Sequence, residues 1–233
     1  MSIKKDKKFA SINKDFQKMK ALLYEQFETL ENVILSGLEA ISEKELEVFT
    51  KNENKLDQLE LKLSYKIIQT IGLQQPMASE LRHLISYLRM LGDMERIGDQ
   101  LNNILHFFKG LTPTQLPENQ RESIHNMYDM SLIMVRKALD SFENEDHETA
   151  IWTIKNDEVV DDMQRKLMKR MLRKSTPPNM AVEEVTNILN FGSILSSIER
   201  IADNATNIAE ASIYYQDGTD LRHQDLSDSS EEA

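Results

Sequence analysis

The sequence predicts an all-α fold, a tandem duplication of a three-helix bundle with six long helices, and three observations carry that expectation. Turn-forming residues are scarce, with 7 Gly and 5 Pro in 233 residues. Apolar residues recur at steps of three and four over long stretches, as on a helix with one buried face. The chain also repeats itself, because positions 104 residues apart match in residues and in breaks, without an insertion.

The first helix is read from Ile12, Phe16, Met19, Leu23, Phe27, Leu30, Ile34, Leu38 and Ile41, a single apolar stripe of about nine turns. Ser42 followed by Glu45 has the form of a capping box, in which hydroxyl and carboxylate each satisfy a backbone N–H left free at a helix start. The second helix therefore begins there and runs to about Thr70. The stretch from Gly72 to Pro76 ends it. The third helix carries Leu81, Leu84, Leu88, Leu91, Leu101 and Ile104 and stops at Gly110. Thr112, Pro113 and Pro117 mark a linker.

The second half follows the first. Ser42 corresponds to Asp146, Leu63 to Leu167, Ile67 to Met171 and Ile85 to Leu189, while the break at Pro76 corresponds to Pro177-Pro178. Glu95-Arg96-Ile97-Gly98-Asp99 corresponds to Glu199-Arg200-Ile201-Ala202-Asp203, and Asn103-Ile104 to Asn207-Ile208. The expected units are a first bundle over 10–110, a second over 118–217, and an acidic tail over 218–233 with almost no apolar content, expected to be disordered.

Composition excludes several classes of function. A net charge of −11 opposes broad nucleic-acid binding, which needs a positive field to displace counterions. Without cysteine there is no disulfide, thiolate metal site or cysteine nucleophile, which suits a reducing cytoplasm. No apolar run approaches the roughly 20 residues that span a bilayer, and the Lys-rich start leads into amphipathic sequence, not a secretory core. A cytoplasmic protein, peripheral to membranes only through partners, is expected.

The chemistry sits in the carboxylates. Glu95, Asp99 and Asn103 are spaced i, i+4, i+8 on the third helix, as are Glu199, Asp203 and Asn207 in the repeat. The second helix adds Glu53 and Asp57, and its counterpart adds Asp157 and Asp161. Glu53 stands between Phe49 and Leu56 at steps of four and three, so it points toward the apolar stripe. Antiparallel helices would bring Glu53/Asp57 opposite Glu95/Asp99. A partly desolvated carboxylate set needs compensation, from Arg96 and Arg200 or from a bound cation. A lone acidic pair on a helix is ordinarily a solvated face, but four pairs at repeat-equivalent positions favour ion binding. The donors are all oxygen, which favours divalent or trivalent hard ions such as Mg, Mn, Ca or Fe over Zn. Met163, Met168 and Met171 read as core filler and Trp152 as packing, and the histidines share no usable spacing.

The doubled Glu-Arg-Ile-Gly/Ala-Asp motif, the Asn-Ile that follows, and Gln75-Pro-Met-Ala-Ser-Glu-Leu-Arg82 resemble the PhoU family from about residue 10 to 217. The resemblance implies a cytoplasmic two-bundle regulator that represses the phosphate-starvation response by linking a phosphate ABC transporter, through its ATPase subunit, to a sensor histidine kinase. It implies a homodimer and no enzymatic activity. It also implies metal ions at Glu53, Asp57, Glu95 and Asp99 and at Asp157, Asp161, Glu199 and Asp203, with Arg96, Asn103, Arg200 and Asn207 in support. The chain departs from the family pattern at Gln100-Leu101-Asn102 and at Asn204, where a histidine is common, and at Glu183-Glu184-Val185. A metal-free helical adaptor is one alternative. A di-metal carboxylate enzyme is another, but its usual Glu-x-x-His pairs do not accompany these motifs.

Overall fold

The computed structural model describes residues 2–111, 118–174 and 181–221. The linker at 112–117, the break at Pro177-Pro178 and the tail beyond Leu221 lie outside these residues. The first bundle comprises α1 (Ser2–Ser36), α2 (Glu43–Gln74) and α3 (Ser79–Lys109), and the second comprises α4 (Glu118–Asn144), α5 (His147–Lys155), α6 (Asp157–Lys174) and α7 (Val182–Asp217). No strand occurs among the described residues. No described helix is long and apolar enough to cross a membrane.

Local signals explain most boundaries. The stripe on α1 is buried throughout, with Ile12, Phe16, Met19, Leu23, Phe27, Leu30 and Ile34 all at 0 % exposure. The helix does not reach Ile41, however. It ends at Gly37, whose φ of +86° is open to a residue without Cβ, and a single 3-10 turn over Leu38–Ala40 carries Leu38 and Ile41 on against the core. Ser42 caps α2 as expected, with the Glu45 amide donating to its Oγ and the Glu45 carboxylate accepting from the Ser42 amide at 2.8 Å. That helix continues four residues past Thr70, to Gln74, where a left-handed Gln75 ends it. Asp146 caps α5 by accepting from the Thr149 amide at 3.1 Å.

The two repeats differ most in their second helices. α2 runs unbroken through Asn52, whereas its counterpart divides at the equivalent Asn156 into α5 and α6. The Asn156 side chain donates to the Trp152 carbonyl at 2.7 Å, and Asp157 and Glu158 open α6, where the helix dipole favours negative charge.

The two bundles share one continuous hydrophobic core. α3 and α7 pack antiparallel: Arg82 donates to the Tyr215 carbonyl, Ser86 to the Ala211 carbonyl at 2.8 Å, and Asn207 to Asp93. α1 and α4 are antiparallel in the same way, with Tyr128 donating to the Phe27 carbonyl at 2.8 Å and Lys20 paired with Glu143 at 2.8 Å. Gly218 to Leu221, at the start of the acidic tail, are tied to this body. Gly218 ends α7 in a left-handed conformation, Asp220 pairs with Arg89 at 3.3 Å, and Leu221 packs on the core. Trp152 is partly buried on the core beneath the Lys137 ammonium, 4.7 Å from the ring centroid, and Met163, Met168 and Met171 also pack there.

Candidate metal centres in the two bundles

Helix period and close helix packing together build the acidic clusters. Glu95 and Asp99 lie one turn apart on α3, and Asp57 faces them from α2. One oxygen from each of Asp57, Glu95 and Asp99 falls within 4.8 Å of the others, and the same holds for Asp161, Glu199 and Asp203. The approach depends on small residues directly behind the cluster. A Cβ built on Gly98 would lie 2.9 Å from Leu56 Cδ1, so alanine at 98 would force the buried Leu56 side chain to shift or α2 and α3 to part. The second bundle has Ala202, and the position equivalent to Leu56 is the smaller Val160, both fully buried. The larger residue on one helix is matched by the smaller on the other.

Each triad is a negative site that its neighbouring arginine offsets only in part. Burial, then Asp99, Asp57 and Glu60, push the Glu95 carboxyl above its ordinary range, and burial and Asp57 do the same for Asp99. In the second bundle burial comes first again: Glu199 is pushed up to about 7 with Asp203 and Asp161 beside it, and Asp203 is raised by burial and Asp161. The guanidinium groups of Arg96 and Arg200 partly offset these rises.

Glu53 and Asp157 flank the triads. Glu53 is raised by burial, Asp57 and Asp99, and its Oε1 accepts from Asn102 Nδ2 at 2.7 Å. Asp157 is pushed up to about 6 by burial, Asp203 and Asp161. The hydroxyl of Thr206, at the position equivalent to Asn102, lies beside Asp157 and tempers that rise; Asp157 Oδ1 and Thr206 Oγ1 are both buried, and their approach is looser than the 2.7 Å bond between Asn102 and Glu53. A buried carboxylate oxygen served by at most one hydroxyl and standing beside three more carboxylates fits a hard cation, which satisfies its remaining lone pairs. Of each expected set of four, three carboxylates are thus brought within ligand distance of one another, while Glu53 and Asp157 stand beside them.

Their expected supporters behave differently. Asn207 donates to Asp93 Oδ1 at 3.4 Å across the α3–α7 interface, and Arg96 donates to the same oxygen at 3.4 Å. Both therefore serve Asp93, a buried carboxylate that burial pushes up to about 6. Asn103 is exposed one turn beyond Asp99, and Arg200 is exposed beside Glu199. Asn102, Thr206 and Glu60 stand beside the clusters although the acidic motif does not include them. Asn102 and Thr206 are themselves repeat-equivalent, a signal that was available.

The sequence pattern of the PhoU domain matches this chain twice, over residues 16–107 and 124–212. The chain belongs to the PhoU family. The matched segments enclose both acidic clusters. Among its PhoU relatives, the phosphate-specific transport system accessory protein PhoU homolog 1 of Thermotoga maritima is 25% identical over 217 residues, 93% of this chain and 90% of that protein. A PhoU homolog of Pseudomonas aeruginosa with the same descriptive name is 28% identical over 216 residues, covering 92% of this chain and 86% of the relative. In fold, the crystal structure of PhoU from P. aeruginosa superimposes with a TM-score of 0.79 at 23% identity, over 92% of this chain and 99% of the other. The phosphate transport system regulatory protein PhoU from Streptococcus pneumoniae gives 0.76 at 24% identity, over 91% and 98%. These PhoU structures share the tandem helical-bundle architecture.

Proposed function

We propose that this PhoU-family chain is a cytoplasmic accessory and regulatory protein of a phosphate transport system, working by protein contact and not by catalysis. Relatives named as phosphate-specific transport accessory proteins match it over more than nine-tenths of its length. Its partners in this reading are the ATPase subunit of a phosphate ABC transporter and a sensor histidine kinase, which it holds in a repressing state when phosphate is plentiful, as a homodimer. The observation that carries the ion part of the reading is the pair of triads, Asp57/Glu95/Asp99 and Asp161/Glu199/Asp203, at equivalent places in the two bundles. Cations there neutralise repulsion across α2–α3 and α6–α7 and so fix the helix spacing that partners read. Mg, Mn or Fe suits these oxygen donors better than Zn.

Two experiments test this. In a strain lacking the chain, a phosphate-starvation reporter should be active in high phosphate and silenced again by the wild-type gene; a reporter that stays silent without the chain sinks the regulatory role. Elemental analysis of protein purified without chelator should find metal that is lost in Glu95→Ala/Asp99→Ala combined with Glu199→Ala/Asp203→Ala. Metal-free wild-type protein that regulates normally would favour the adaptor reading.

A further inference from the structure

The second bundle presents a groove between α6 and α7 whose chemistry runs against that of the whole chain. Its floor is apolar, formed by Met168, Leu172, Ile188 and Leu189, and its volume is about 1030 Å³. Leu172 is 52% exposed and Leu189 65%. Contiguous exposed apolar surface rimmed by polar residues is a mark of interaction sites. One rim carries Arg165, Lys169 and Arg173 at i, i+4, i+8 along α6.

The basic run is denser and less compensated on α6 than on its counterpart α2. The chain is acidic, with a net charge of −11, yet residues 165–174 hold six Lys and Arg and no Asp or Glu. The equivalent stretch of α2, residues 61–70, has only Lys62 and Lys66. Both of those are held by Asp15, at 3.0 and 2.7 Å. On α6, Arg165 and Lys166 pair with Asp162 on their own helix, while Lys169 and Arg170 make no ion pair among the described residues.

We propose that the α6–α7 groove docks an acidic amphipathic helix of a partner protein. The occupant is argued from shape and charge together. A concavity between two helices is filled by a third, whose apolar side chains at i, i+3, i+4 and i+7 meet the Leu172/Leu189 floor. A row of Asp or Glu at i, i+4 and i+8 on that helix matches the Arg165, Lys169 and Arg173 rim. Gly192, Ser193 and Ser196 line the α7 side, and such small residues let a helix backbone come close. Asp161 and Glu199 lie one turn beyond Gln164 and Ser196, so the acidic row of the partner belongs toward the Arg173 end. This rests on the reading of the chain as a regulator that works by contact, but not on ions at the triads.

The test uses the full chain and a displayed library of 18-residue helical peptides, selected on wild-type protein and counter-selected on Lys169→Glu/Arg173→Glu. Enriched peptides should be amphipathic and acidic. Their binding should fall at least tenfold in Lys169→Glu/Arg173→Glu and in Leu189→Asp, should weaken as salt rises, and should be unchanged in Lys14→Glu, an exposed α1 variant away from the groove and the triads. Circular dichroism of each variant confirms that it folds. No enrichment, enrichment of cationic or neutral peptides, or binding indifferent to both groove variants would overturn the proposal. So would binding of phosphatidylglycerol vesicles lost in Lys169→Glu/Arg173→Glu, if no peptide is enriched, since that assigns the rim to a membrane. Acidic-helix binding by a chain that does not restore phosphate control would instead overturn only the regulatory reading.

Discussion

Gly98 and Leu56 set the separation of α2 and α3 behind the first triad, and substituting them tests whether that spacing is what builds the site. Gly98→Ala relieves a helix-interior glycine, which by itself stabilises by roughly 1 kcal/mol. The new Cβ, however, would stand 2.9 Å from Leu56 Cδ1 in a fully buried layer, and such overpacking costs about 1–3 kcal/mol. A net loss of about 1 kcal/mol is expected. Leu56→Val alone removes a buried methylene and costs about 1 kcal/mol. In the double variant the new methyl occupies the vacated space, as Ala202 and Val160 do in the second bundle, and stability should return to within about 0.5 kcal/mol of wild type, a coupling of roughly 1–2 kcal/mol between touching residues. Urea unfolding of all four proteins, followed by circular dichroism with chelator present, measures that coupling. Because Asp57 follows Leu56 directly, Gly98→Ala alone should also weaken ion loading and the double variant should recover it. Additive effects on stability would refute the spacing argument.

The raised carboxyls of the second cluster predict a stability that depends on pH. Glu199 at about 7 and Asp157 at about 6 stand above the roughly 4.3 and 3.9 of the unfolded chain. The native state therefore binds more protons than the unfolded state between those values, so metal-free protein should lose stability as pH rises from about 5 to 8 and recover it when Mg or Mn is added at pH 8. A chelator-treated chain whose melting temperature rises over that range would contradict the cluster geometry. Asp93, at about 6, is ionised and buried at pH 8; Asp93→Asn keeps an acceptor for Asn207 and should unfold at the same or a higher urea concentration at pH 8, whereas a clear loss would mean that the Arg96 pair outweighs burial. Ser42→Ala removes a cap and its box and should cost about 1 kcal/mol in urea unfolding, and a neutral result would show that α2 starts independently of it.

Much of this architecture was legible because duplication prints the same signal twice. The stripe on α1 and the caps at Ser42 and Asp146 act through neighbours three and four residues away, so sequence spacing is enough to find them. The Asn156 break is different, because its equivalent Asn52 is buried mid-helix and donates to Glu25 at 3.0 Å. The same residue type is absorbed by one bundle and divides the other, depending on what faces it. Asn207 was placed with Glu199 and Asp203 by its spacing along α7. Eight residues carry it about 80° around the helix from Glu199, far enough to meet Asp93 on α3 instead. The contact between Asn102 and Glu53 needed the register of α2 against α3, which no pattern within one helix contains.

The Glu-Arg-Ile-Gly/Ala-Asp signature joins three functions in five residues, which explains why it appears once in each repeat. Ile97 and Ile201 are both fully buried. The antiparallel register fixed by Ser86 against Ala211 and Asp93 against Asn207 brings Ile97 opposite the Arg200 to Asp203 turn. The two signatures therefore meet near the centre of the α3–α7 contact, where the approximate twofold relation between the repeats has its axis. Gly98 and Ala202 set how closely α2 and α6 approach from the other side. Glu95/Asp99 and Glu199/Asp203 then meet the carboxylates those helices bring. A change of charge at either triad would alter the repulsion across a helix pair, α2–α3 or α6–α7, one member of which forms half of the inter-bundle contact.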